Sequence, residues 1–204
     1  MYTALRATSL TLVEFLRQRF AADAVLGPMF DPIMGGPMVI SLNSPQEMVD
    51  DNLQGVSVWL YRVVRDEERL NAAPERIAPG QLRRVPLPVR LHFLVTPITT
   101  LGGGFGPESE QVFLGKVLQS FHDHALLRGT DLRDDFTGTT VELTVRLETL
   151  GLDQISLVWE ALEGSYQLSV SYEVSVVYIQ SELEPAAVSP VEVALPEFGV
   201  IVGS

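Results

Sequence analysis

The stretch Y166-Q-L-S-V-S-Y-E-V-S-V-V-Y-I-Q180 alternates with period two almost throughout. Tyr166, Leu168, Val170, Tyr172, Val174, Val176 and Tyr178 share one side of an extended chain, and Gln167, Ser169, Ser171, Glu173 and Ser175 share the other. Side chains of a strand point alternately to its two faces, so this pattern predicts a strand with one apolar face. Near its end Val177 and Ile179 make both faces apolar. Fully extended, the segment would run about 50 Å, well beyond the usual ~17–20 Å, so it either bends or reaches past its own sheet. Packing within one chain and pairing with a partner both fit that length.

Outward from this strand the pattern repeats in shorter form. T140-V-E-L-T-V-R-L-E-T-L150 turns Val141, Leu143, Val145 and Leu147 inward, while V89-R-L-H-F-L-V-T-P97 and residues 56–64 are apolar on both faces, as buried central strands are. A short strand is expected at 38–42. Leu5, Leu12, Leu16 and Phe20 mark a helix over Thr3–Ala22. A second helix follows Pro107 to about residue 127, with Val112, Phe113, Val117, Leu118 and Phe121 as its stripe. A third, short helix carries Leu152, Ile155, Trp159 and Leu162 and stops at Gly164. Residues 66–88 hold four prolines and read as a long loop. Strands without regular βαβ alternation indicate an α+β fold, a mixed or antiparallel sheet with helices packed on one face. The expected division is a domain over 1–182 and an extended C-terminal arm over 183–204.

With 204 residues and 46% apolar content the chain can build its own core. Its 26 acidic against 14 basic residues give a formal charge of −12. Such a surface repels phosphate backbones and anionic lipid, and the pair Arg83-Arg84 with Arg90 nearby is too short a basic cluster to reverse it. Nucleic-acid binding and membrane insertion are therefore not expected. The absence of cysteine removes disulfides, thiolate metal sites and cysteine nucleophiles. The first twenty residues have no apolar h-region and contain Glu14 and several arginines, unlike a secretory signal or a membrane span. A chain that is soluble and cytoplasmic when made fits these features.

No motif for catalysis emerges. The glycines of L101-G-G-G-F-G-P-E-S-E110 fall between a strand and a helix, but the sixth position of a dinucleotide fingerprint is Pro107, and no Lys-Ser/Thr pair closes a phosphate loop. Glu108 and Glu110 in the helix's first turn would repel a phosphate. His122 and His124 diverge by about 200° on a helix and cannot share a metal. His92, on a strand face with Arg90, reads as a hydrogen-bonded residue. Asp50-Asp51 and Asp134-Asp135 read as turn residues. G55-V-S-V-W59 has Trp59 where a nucleophile elbow needs glycine. No cofactor, metal or catalytic residue is expected, although a hydrolase built from His92 and loop carboxylates and a small ligand- or peptide-binding domain are the competing readings.

Residues 56–63 (VSVWLYRV), the segment V85-P-L-P-V-R-L-H-F-L-V-T-P97, F113-L-G-K-V-L-Q-S-F-H-D123 and L157-V-W-E-A-L-E-G through Ser181 follow one another as in a known family. Over roughly Thr3 to Ser181 the chain resembles the tail terminator, or cap, proteins of extracellular phage-tail-like contractile injection systems, of the antifeeding-prophage and Photorhabdus virulence-cassette type. Leu91, Thr96 and Pro97, Trp159, and the Ser169–Tyr172–Glu173–Val174 run carry the resemblance, which marks a fold rather than a reaction. It implies a six-fold ring that closes the end of the inner tube and sheath, with those tube and sheath proteins as partners and the assembled particle as its location. Some relatives carry a further C-terminal domain. Leu195, Phe198, Val200 and Ile201 in the proline-containing tail, and Phe105 between glycines, are the candidate interface residues. Extended apolar segments of this kind pair with a neighbour's sheet edge.

Overall fold

The computed structural model describes residues 2–69, 73–99 and 105–187. Its centre is a six-stranded sheet in the order β1-β2-β5-β8-β7-β6. These strands are β1 (Val39–Ser41), β2 (Gly55–Arg65), β5 (Leu87–Ile98), β6 (Leu126–Arg128), β7 (Glu142–Leu147) and β8 (Val170–Ile179). Only the β1–β2 pair is parallel among these, so the sheet is mixed. A short helix α3 (Pro45–Asp50) makes the return from β1 to β2, opened by a capping box between Ser44 and Glu47.

The two long helices, α1 (Ala4–Ala21) and α4 (Pro107–Asp123), cover one face. Their Leu12, Leu16, Phe20, Phe113, Val117 and Phe121 pack with Val58, Phe93, Val95, Val145, Tyr172 and Val174 of the strands in one core. Small polar side chains let α1 come close: Thr8 and Thr11 are fully buried and donate back to the Ala4 and Ala7 carbonyls at 2.8 and 2.7 Å. Phe30 of the one-turn helix α2 (Gly27–Phe30) stacks edge-on between Phe20 and Phe113.

Helices on one face hold for α1, α4 and the short α2. Helix α5 (Leu152–Ala161) lies on the other face, where Ile155 and Trp159 pack on Leu94 with Trp59 and Tyr61 beside them. The reason is in β5 itself, whose Leu94 points away from Phe93 and Val95 and needs a separate apolar cover. The Trp159 indole donates to Ser169 Oγ at 3.2 Å, and its ring meets Tyr166 edge-on at 6.3 Å.

That contact also corrects the long strand. Pairing begins at Val170, because residues 166–169 wrap the indole instead of joining a neighbour, and β8 is ten residues, about 33 Å. A register shift sets its apolar ends: Leu91 pairs with Val174 but Val89 pairs with Val177, so β8 carries one extra residue there. The phase of alternation changes at the bulge, Val177 turns into the core, and Tyr178 is exposed, accepting from Arg69 at 2.8 Å.

The expected loop over 66–88 contains a second, small sheet. β3 (Arg76–Ala78) and β4 (Gln81–Leu82) form a hairpin turned at Pro79-Gly80, Gly80 having φ +71°, and β9 (Ala186–Ala187) pairs with β4. Within the segment expected as an arm from residue 183, Ala186 and Ala187 pair with β4 of the same chain.

Candidate assembly surfaces

The polar face of the sheet brings together most of the residues with reactive side chains. Arg62, His92, Glu173 and Arg146 stand side by side across β2, β5, β8 and β7. His92 Nδ1 lies 2.9 Å from Glu148 Oε1, and Ser171 Oγ donates to the other oxygen of Glu148. Tyr61 Oη is 3.0 Å from Ser171 Oγ; burial raises the phenol's pKa, with the serine bond opposing. Arg90 reaches Asp66 at 3.2 Å, Glu68 at 3.3 Å and Glu173 at 3.6 Å. Asp66 ends β2 almost fully buried. Desolvation pushes its pKa up, but the Arg90 hydrogen bond, the Glu68 N–H and the nearby positive charge together hold it below the ordinary value.

His92, Glu148 and Glu173 are the one trio among the described residues whose donor atoms, all within 4.8 Å of one another, could hold a metal ion. A cation there would have to displace the His92–Glu148 contact and share Glu173 with Arg90. Both oxygens of Glu148 are already engaged. The donor set therefore fits a hydrogen-bonded strut better than a metal centre. Neither of the two grooves described below is lined by these residues.

Several of the other residues considered for chemistry make structural contacts. His124 contacts the Arg19 guanidinium and the Phe15 ring, while His122 is exposed. Asp134, at φ +55°, receives Arg6 through two hydrogen bonds of 2.7 and 3.0 Å. Asp50 closes α3 and Asp51 caps it. Glu110 accepts from Thr99 Oγ1 at 2.6 Å. Glycines 102–104 lie outside the described residues.

Among the described residues two grooves and the two sheet edges are the surfaces nearest the core. One groove of about 440 Å³ runs between the C-terminal half of α4 and β7–β8, with Leu118, Phe121, Leu147 and Tyr172 in its walls. Burial pushes the Tyr172 phenol up to about 12. A second, of about 410 Å³, follows α1 beside β1. There the Arg17 guanidinium donates to the Ile40 carbonyl at 3.1 and 2.8 Å, which blunts the open edge of the sheet. The opposite edge, β6, has only three residues. Among exposed apolar side chains Ile33 stands out at 95%, with Met34 next to it at 65%. Leu152 and Leu157 on the outer side of α5 are also exposed.

Of the interface residues expected from sequence, Phe105 is half-buried and packs against the main core. Leu195, Phe198, Val200 and Ile201 lie outside the described residues. Sequence reading missed the groove and the Ile33–Met34 tip. The tip had a signal, two large apolar residues inside a turn bounded by proline and glycines.

The profile of the Pvc16 N-terminal domain family matches residues 7–192. The chain belongs to this family. A sheath/tube terminator of an extracellular contractile injection system, solved in its extended state, matches 98% of this chain and 64% of its own length, with 16% identity and a TM-score of 0.58. The tube-terminating cap of an anti-feeding prophage matches 88% of this chain and 62% of its own length, with 16% identity and a TM-score of 0.50. At that identity the likeness is one of fold, and the chain spans less than two thirds of either solved chain. No curated protein sequence matches it. The α+β fold read from the strand pattern is that of these terminators. Among the described residues no helix is long and apolar enough to cross a membrane.

Proposed function

We propose that this chain caps a contractile injection particle, six copies closing into a ring that ends the inner tube and the sheath. One observation carries the reading: a sheath/tube terminator shares the fold over 98% of the chain. The polar face agrees with it, since Glu148 is engaged by His92 and Ser171, and Arg90 by Asp66, Glu68 and Glu173. In this reading the chain is a structural protein and not an enzyme. It is made in the cytoplasm, binds tube and sheath subunits, and leaves with the particle. The domain over 1–182 forms the ring, and the tail that follows contributes contacts through Leu195, Phe198, Val200 and Ile201, with Phe105 a lesser one.

Electron microscopy of injection particles from cells lacking this chain tests the proposal. Overlong or ragged tubes with missing sheath are the expected result; normal, capped particles would overturn it.

A further inference from the structure

Ile33 and Met34 sit at the tip of a tightly built knob. Residues Pro32–Met34 form a single 3-10 turn, and the Asp31 carboxylate accepts from Ile33 N at 2.9 Å. Gly35 N and Gly36 N close the turn on Pro32 and Asp31 at 3.1 and 3.0 Å. Gly35 adopts φ +77°, and a Cβ on Gly36 would stand 2.5 Å from the Met29 carbonyl. The knob is therefore held down on α2, and α2 is held by Phe30 between two core rings. An apolar pair presented this rigidly loses little conformational freedom on binding. Among the described residues nothing covers it, with Ile33 95% exposed.

The 440 Å³ groove lies at the other side of the sheet. The knob precedes β1, whereas the groove rests on β7 and β8. From β1 to β7 the order of strands gives four spacings, about 19 Å. A projection on one edge and a matching cleft towards the other are what a head-to-tail contact requires, and such contacts close into rings when the rotation allows. Charge favours the match. In a chain of net charge −12 the groove is lined by no carboxylate and carries His122 and Gln119 at its rim, while Asp31 stands at the foot of the knob. Two knobs facing each other would instead bring two Asp31 carboxylates together.

We infer that the Ile33–Met34 knob of one copy seats between Leu118, Phe121, Leu147 and Tyr172 of the next, forming the repeating contact of the ring. This rests on the proposed cap function, and it names which surfaces the copies use.

The chain has no cysteine, so engineered pairs report the contact cleanly. Ile33→Cys and Gln119→Cys, both at exposed positions, are combined in the full chain, which replaces the native one in cells that make the particles. Purified particles are oxidised and the chain is blotted without reductant. The expected result is a ladder of linked copies from the double variant, and no linkage from I33C or Q119C alone. Dimers from I33C alone would show knob against knob and overturn the inference. So would an incorporated double variant that stays monomeric. Both outcomes leave the cap function standing, because presence of the chain and tail length are read on the same particles. Absence of the native chain from particles would reject the cap function, and the contact with it. As a second variant, I33E is expected to keep the native melting temperature and lose incorporation; full incorporation would overturn the inference.

Discussion

Replacing Trp159 with alanine should release α5 from the sheet, and the size of the effect follows from the contacts. An aromatic side chain of this size buries about 150–250 Å², which at ~25 cal/mol per Å² is roughly 4–6 kcal/mol. A compact unfolded state hides part of that area already and lowers the gain to roughly 3–5 kcal/mol. Loss of the 3.2 Å bond to Ser169 adds about 1 kcal/mol. The cluster it anchors has only two other buried members, Leu94 and Ile155, so little remains to collapse into the cavity. In urea the midpoint should fall by about 1–2 M if the whole chain unfolds together. If α5 undocks by itself, the midpoint moves less and amide exchange over Leu152–Ala161 rises to that of an exposed helix. Trp59 belongs to the same cluster and becomes the single fluorescent reporter in W159A. W159F, which keeps a ring but loses the N–H, should cost about 1–2 kcal/mol. A W159A chain that loses under ~1 kcal/mol and leaves exchange over α5 unchanged would refute the claim that the indole holds this helix.

Gly55→Ala should detach β1: at φ +133° the new Cβ would stand 1.9 Å from the Val39 carbonyl, and a loss of at least ~3 kcal/mol in urea unfolding is expected, while an unchanged midpoint would contradict the register. Asp23 is held at about 2 by the Lys116 hydrogen bond first, then by the Val25 and Leu26 N–H groups. A folded pKa below the unfolded one stabilises the chain above pH ~3.8, and that share is lost as pH falls from there towards about 2. Lys116→Met should flatten this acid limb by up to ~1 kcal/mol, discounted because both side chains remain partly exposed; an identical limb in K116M would sink the assignment.

Periodicity made the long elements legible. The stripes of α1 and α4, and the apolar runs of β2 and β5, extend over enough residues for period 3.6 or 2 to show. Strands of two or three residues, as in β3, β4, β6 and β9, are too short to have a period, and their pairing defines them, local in the β3–β4 hairpin and long-range for β6 and β9. The start of β8 misled for a different reason. Residues 166–169 alternate as a strand does, but whether they pair depends on Trp159, and the indole competes successfully for Tyr166 and Ser169. Leu118, Phe121 and Tyr172 each read correctly as core-facing residues of their own elements, whereas Leu147, expected to face inward, is exposed. That they leave a cleft depends on how far α4 extends over β7, which no single segment records.

The polar face gains a purpose from this arrangement. A slip of one residue along β5 would turn Arg90 and His92 towards the helices and expose Leu91 and Phe93, and the same slip along β8 would bury Glu173 in place of Val174. The hydrogen bonds of Glu148 to His92 and Ser171, and the three acidic partners of Arg90, oppose such slips on the side of the sheet that α5 leaves uncovered. Their effect is on alignment more than on stability, since removing charges from water offsets much of what pairing them gains. In the proposed ring alignment matters, because the knob stands before β1 and the groove rests on β7 and β8. The separation and angle between knob and groove, which would set the number of copies in such a ring, depend on the register of every strand in between.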